Sequence, residues 1–146
     1  MTHYSVYWPT YAVDRARGTL PQEQWFTDSA LLRFRFAGDH IWLCTNGESL
    51  GEETPGRLFL VGDFTVTSAQ DNPGTHPRYH KGLFRFVLTA AEGHIRLLAP
   101  PRDASELLLG APRSHIRRNA GLGMACPRRL SATTVRRLAA LVEGAR

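Results

Sequence analysis

The sequence predicts an α+β domain: a mainly antiparallel β-barrel of five or six strands, with short helices at its margin and a helix at its C-terminus. Three observations carry this prediction. Short runs rich in β-branched and aromatic residues recur along the first two thirds, and LLRFRF (31–36) and LFRFVLT (83–89) alternate in character as half-buried strands do. Turn-forming pairs such as Gly38-Asp39 and Glu92-Gly93 separate them. Helical spacing is confined to the last third. Closing such a sheet into a barrel removes its exposed edges.

The elements follow in order. HYSVYW (3–8) is a first strand by its β-branched and aromatic content. Pro9 to Ser29 is a polar, turn-rich connection with room for a short helix around Gln22 to Trp25. LLRFRF (31–36) and HIWLCT (40–45) are joined through Gly38-Asp39, and a loop then runs from Asn46 to Gly56. RLFLVGDFTV (57–66) is a long strand whose interior Gly62 marks a bulge or a barrel bend. LFRFVLT (83–89) and HIRLL (94–98) form a hairpin through Glu92-Gly93. Asp103 and Glu106 make a capping-box variant at the start of a short helix that Gly110 closes. Ser131 is an N-cap, flanked by the staple pair Leu130 and Val135. Val135, Leu138, Ala139 and Val142 then keep helical spacing until Gly144.

A chain of 146 residues, 42% hydrophobic, suits one domain spanning residues 1–146 with one core. It contains no run of eighteen or more apolar residues, and Met1 to Trp8 has neither the basic nor the apolar region of a secretory signal. Cys44 and Cys126 stand alone, without a CxxC partner, which excludes a disulfide framework or a cysteine zinc site. The expectation is a cytoplasmic protein with no membrane partner. Charge says more. Basic residues number 18 against 13 acidic ones, and the pI is near 9.9, as in many nucleic-acid-binding domains. All but Lys81 of the basic residues are arginine. Ala111 to Val142 contains no acidic residue, yet Arg113, Arg117, Arg118, Arg128, Arg129, Arg136 and Arg137 fall there. Such a one-sign stretch attracts phosphates, and the arginine fork meets phosphate and base edges bidentately.

Several motifs of catalysis are missing: there is no P-loop, HExxH or GxGxxG. His76 and His80 have the spacing of helical metal ligands, but Pro73 and Pro77 oppose a helix there, so no metal and no cofactor is expected. Aromatic residues give the sharper signal. Tyr4, Tyr7, Trp8 and Tyr11 crowd the first strand and the loop after it, with Trp25 and Phe26 further on. Phe34, Phe36, Phe59, Phe64, Phe84 and Phe86 lie in strands and read as core. Trp8, next to Pro9, either plugs the barrel end or offers a ring for base stacking.

The succession of a first strand, GDHIWL, GRLFLVGDFTV and PRYHKGLFRFVL resembles the PUA-like superfamily, and its EVE branch above all. In this comparison Tyr4–Trp8, Gly38–Thr45, Leu58–Val66 and Pro77–Leu88 match the family's strands and hairpin. HIRRNAGLGMACPRRLSATTVRRLAALV is similar to its arginine-bearing segment, proline and terminal helix. Two features depart from the pattern: the first loop is long, and Cys44-Thr45-Asn46 stands where the family has an aromatic residue, a histidine and a serine.

The resemblance implies a barrel with a cleft at one end that reads nucleic acid, as EVE-like, YTH-like and SRA-like relatives cage a modified base. Carried onto this sequence, Trp8, Trp25, Asn46 and Tyr79 line the cleft with Arg78 at its lip, while Arg113, Arg117, Arg118 and Lys81 hold the backbone. The expected partner is DNA bearing a modified base, or RNA, with a nuclease as companion where the task is restriction of modified DNA. The competing expectation is a small ASCH-like hydrolase or RNA-processing enzyme on the same barrel, built on Lys81 with Thr65, Thr67 or Glu48.

Overall fold

Side chains alternate along a strand, and this sets the frame of the molecule. In β1 (His3–Tyr7), Tyr4 and Val6 face one way and enter a core with Trp8. His3, Ser5 and Tyr7 face the other way. The computed structural model describes residues 1–27, 38–47, 50–51, 56–109 and 128–144. The strand expected at 31–36, with Phe34 and Phe36, lies outside the described residues, as do Cys126 and Gly110.

The chain continues through α1 (Tyr11–Arg17), β2 (Gln24–Thr27), β3 (His40–Asn46) and β4 (Leu58–Asp71). Then come β5 (Phe86–Ala90), a 3₁₀ turn at Ala91–Gly93, β6 (Arg96–Asp103), α2 (Ser105–Leu109), β7 (Arg128–Arg129) and α3 (Ala132–Gly144). The fold is α+β. Seven strands form one mixed sheet in the order β2-β5-β4-β3-β1-β7, with β6 also on β4. The sheet is mainly antiparallel as expected, with β1 and β3 running parallel. The barrel is corrected: among the described residues β2 and β7 end the path rather than meeting to close one. β5 and β6 also form no hairpin. Each pairs with β4 instead, β5 along its second half and β6 along its first.

Pro9 to Ser29 also differs from expectation. The helix forms at Tyr11–Arg17, where Ala12, Arg15 and Ala16 favour it, and Gly18 ends it at φ 68°. The short helix expected around Gln22 to Trp25 does not form; Gln24–Thr27 is a strand on β5, its aromatic and β-branched residues paired with Phe86–Thr89.

Gly62 carries the bend that the sequence indicates. The registers of β4 with β3 and with β6 both slip between Leu60 and Gly62. The extra residue reverses which side chains face which way. Val61 and Phe64 both enter the Trp8 core, while Leu60 and Asp63 both face the opposite side. A Cβ on residue 62 would lie 2.5 Å from the Arg96 carbonyl oxygen, so only glycine fits there.

Each face of the sheet has its own core. Tyr4, Val6, Trp8, Tyr11, Trp25, Ile41, Leu43, Val61, Phe64, Val66 and Leu88 fill one. Trp42, Cys44, Leu58, Leu60, Leu98, Leu108, Leu138 and Val142 fill the other, beneath α2 and α3. The Ser131 cap agrees with the sequence, whereas at α2 the Asp103 carboxylate is engaged by Ser105 in place of the expected partnership with Glu106. Ser131 Oγ accepts the Thr134 N–H at 3.2 Å, and Asp103 accepts from both the N–H and the hydroxyl of Ser105. Among the described residues, no helix is long and apolar enough to cross a membrane.

Candidate functional site

Two aromatic layers meet at the α1 end of the sheet. The inner layer is Trp8, Tyr11 and Trp25. Both neighbours meet the Trp8 indole edge to face, with centroids 5.0 Å away. All three are buried, and Trp8 is only 3% exposed. This corrects the expectation that Trp8 and Trp25 offer rings to a ligand. They come together as anticipated, but as core.

The outer layer lies on the far side of β2. Because Trp25 points inward, Phe26 must point outward, and its ring stacks flat on Tyr79 with centroids 4.4 Å apart and 8° between planes. His76 leans on both rings, and Phe84 meets Tyr79 edge-on at 5.0 Å. Tyr79 is carried by an irregular segment, residues 72–85, that Asn72 braces. Its side-chain N–H groups donate to the carbonyls of Tyr79 and Phe84 at 3.1 and 2.6 Å, and its oxygen accepts from Gly74 N–H. An open cleft of about 610 Å³ runs along this layer, lined by Phe26, His76, Arg78 and Tyr79 together with the 19–24 segment.

One buried carboxylate joins the two layers. Asp14, 1% exposed, accepts from Trp8 Nε1 at 2.9 Å and from Thr10 Oγ1 at 2.9 Å, and it is ion-paired with Arg78. Arg78 also donates to Thr19 Oγ1 at 2.6 Å, and its guanidinium carbon lies 5.9 Å from the Tyr79 ring centroid. A buried charge needs this many partners. The result fixes Arg78 among the residues that line this cleft. Burial, with the nearby Asp14 charge, pushes the Tyr79 phenol up from its ordinary value, so the ring stays neutral in ordinary buffers.

The remaining candidates fall elsewhere. Asn46 is the last residue of β3, not the start of a loop, and it shares a face with Trp42 and Cys44. Its amide donates to Tyr7 Oη at 2.7 Å, away from the cleft. Thr45, its neighbour, is the residue on the Trp8 side and donates to the Trp8 carbonyl at 3.0 Å. Lys81 is exposed, and its side chain packs along Gly74. Arg113, Arg117, Arg118 and Glu48 lie outside the described residues. The alternative enzyme constellation gains no support from Thr65, whose hydroxyl is 2.9 Å from His40 Nδ1 on the other face. Phe26, His76 and Asp14 were missed as a group. The only available sequence signal was the period-two placement of Phe26 beside Trp25.

A second polar cluster sits beyond α3 on the opposite face. Asp63 takes a bidentate pair from Arg96 at 2.8 and 2.7 Å, and His40 Nε2 lies 2.6 Å from the same carboxylate. Burial alone would raise the Asp63 carboxyl. The hydrogen bonds and charges of His40 and Arg96 outweigh burial and hold it below the ordinary carboxylate value. Burial also pushes the Cys44 thiol up to about 12, which leaves it without nucleophilic character. Among the described residues, no group of three or more His, Cys, Asp or Glu could hold a metal ion.

No known protein family and no curated protein matches the chain. Among solved structures, the chain is similar to a Rhodopseudomonas palustris protein determined by NMR. The two are 13% identical, with a TM-score of 0.48 over 97% of this chain and 92% of that one.

Proposed function

We propose that the protein is a non-catalytic nucleic-acid-binding module that holds a base against the outer aromatic layer. The observation that carries this reading is the Phe26–Tyr79 stack with His76, lining an open cleft, with Arg78 held at its lip by a buried carboxylate. Rings with accessible surface beside a guanidinium are what base stacking requires. The excess of basic over acidic residues supplies the attraction for a phosphate backbone. In this reading Arg113, Arg117, Arg118 and Lys81 contact phosphates. The PUA-like, EVE-branch resemblance extends it to a modified or flipped base, in DNA or RNA, and to work beside a nuclease in the cytoplasm. Trp8 and Trp25 support the platform from below, and Asn46 has no part in it.

Binding of labelled single-stranded oligonucleotides tests the proposal. Tyr79→Ala should weaken binding by about 1–3 kcal/mol, the range for one base–aromatic stack. Replacing Arg117 and Arg118 by alanine should instead weaken all sequences alike and flatten the salt dependence by roughly one unit per lost contact. If Tyr79→Ala folds normally and binds every oligonucleotide as the wild type does, the cleft is not where nucleic acid sits.

A further inference from the structure

The charge of the cleft differs from that of the chain. The protein carries a formal charge of +5, yet Arg78 is the single Lys or Arg side chain among the described residues lining the cleft. Its charge is already matched by Asp14, directly behind it. Glu23 also lines the cleft, is exposed, and makes no ion pair among the described residues. The one guanidinium of the described lining is thus ion-paired with a buried carboxylate, and Glu23 adds a negative charge to the lining. Among the described lining residues, a phosphate would find no Lys or Arg that is not already ion-paired.

The lining suits a different group. Gln22, Glu23 and Gln24 line the cleft together with Phe26. Along β2, Gln24 and Phe26 share a face, and Glu23, the exposed residue just before the strand, lines the same cleft. A carboxylate only accepts hydrogen bonds. It favours an exocyclic amino group, as on cytosine or adenine, and disfavours a carbonyl at the same position.

Resting on the nucleic-acid reading above, we infer that the cleft selects an amino-bearing base, that Glu23 determines this preference, and that phosphates are held elsewhere. Cytosine and uracil differ at ring position 4, amino against carbonyl, and at N3, acceptor against N–H donor, and are alike in size and stacking surface.

The test compares oligo-dC and oligo-dU of about twelve nucleotides, within the site size of common single-strand binders. Wild-type protein, Glu23→Gln and Tyr79→Ala are each titrated with both oligonucleotides. The wild type should bind dC about tenfold more tightly than dU, the discrimination of one good base-edge contact. Glu23→Gln should reduce that ratio to less than about twofold at an unchanged melting temperature, since an amide both donates and accepts. Equal binding of dC and dU by the wild type, or a ratio that survives Glu23→Gln, would overturn the inference. If Tyr79→Ala still weakens both oligonucleotides in that event, the binding reading stands and only the base preference fails. If Tyr79→Ala changes neither affinity, both are overturned.

Discussion

The two faces of the sheet are built from different materials. Under α2 and α3 the packing is largely aliphatic, with Leu58, Leu60, Leu138 and Val142 all nearly inaccessible. On the other face the core turns aromatic toward α1, and its polar atoms are engaged: the Trp8 indole N–H on Asp14, and the Thr45 hydroxyl on the Trp8 carbonyl. The aliphatic cluster is held by close packing, and the buried carboxylate of that face, Asp63, is engaged by His40 and Arg96. An aromatic core with a buried carboxylate also transmits position, because Asp14 touches Trp8 inside and Arg78 at the surface. One face stabilises the fold, and the other also orients a cleft.

The largest expected effects test this division directly. Trp8→Ala and Leu138→Ala each empty a large buried site and should cost about 3–5 and 2–5 kcal/mol of stability respectively. Under conditions where both variants remain folded, their affinities for oligonucleotide should part. Trp8→Ala removes a donor from Asp14 and loosens the support of Arg78, so binding should weaken. Leu138→Ala should bind as the wild type does. Chemical denaturation and fluorescence anisotropy on the same preparations check both effects. Equal affinities in the two variants would erase the functional difference between the faces.

Much of the framework was legible in the sequence. Alternation located β1, β3 and β4, Gly62 announced its bulge, and Ser131 announced α3. Pairing direction was not legible, because β1 and β3 are separated by more than thirty residues and alternation is the same in parallel and antiparallel strands. The placement of Asn46 failed for a related reason. It was taken as a loop residue, whereas continuing β3 by one position puts its side chain on the α3 side. For the site, only Arg78 and Tyr79 of the residues expected in one cleft line the cleft seen, while Trp8 and Trp25 are core and Asn46 lies on the other face. Which rings stay accessible depended on β2 being a strand, since that alone sends Trp25 inward and Phe26 outward. Asp14 carried no signal at all, because one carboxylate in a polar stretch looks like any solvated one.

The bulge at Gly62 offers an intermediate effect. In Gly62→Ala the new methyl would fall 2.5 Å from the Arg96 carbonyl oxygen and 3.0 Å from Leu97 Cδ2. The leucine can yield, but the carbonyl belongs to the paired β6 backbone. Relief must separate β4 from β6, at about 1–3 kcal/mol. That shift would also disturb the Arg96–Asp63 pair while leaving the cleft alone. Thermal unfolding should therefore fall with oligonucleotide affinity retained. A neutral substitution would show that β6 adjusts freely.

Ser131→Ala should have a smaller consequence, about 1 kcal/mol, through loss of the hydroxyl that accepts the Thr134 N–H. α3 supplies Leu138 and Val142 to the aliphatic core alone, so binding should be unaffected. An unchanged melting temperature would mean that the helix is held by packing and not by its cap.

The smallest expected effect comes from His3 and depends on pH. Trp42 Nε1–H donates to His3 Nδ1 at 3.0 Å, which requires that nitrogen to be unprotonated. Burial, the neighbouring His40 and the N-terminal ammonium lower the His3 pKa below 6.5, against the opposing pull of Asp39. The unfolded chain therefore binds a proton at this residue more readily than the folded one. The resulting stability is fully present above pH 6.5 and is lost as pH falls through the folded value. Asp63 has the same sign in a separate window, because its folded pKa lies below 3.8. Urea unfolding between pH 7.5 and 5 should thus show stability declining with acid, and His3→Phe should decline less steeply because it has no proton to take up. His3 stands on the α3 side of the sheet, so the oligonucleotide affinity of the folded protein should not follow the difference between the two variants. Parallel pH profiles for wild type and His3→Phe would mean that the Trp42 hydrogen bond yields to protonation at no cost.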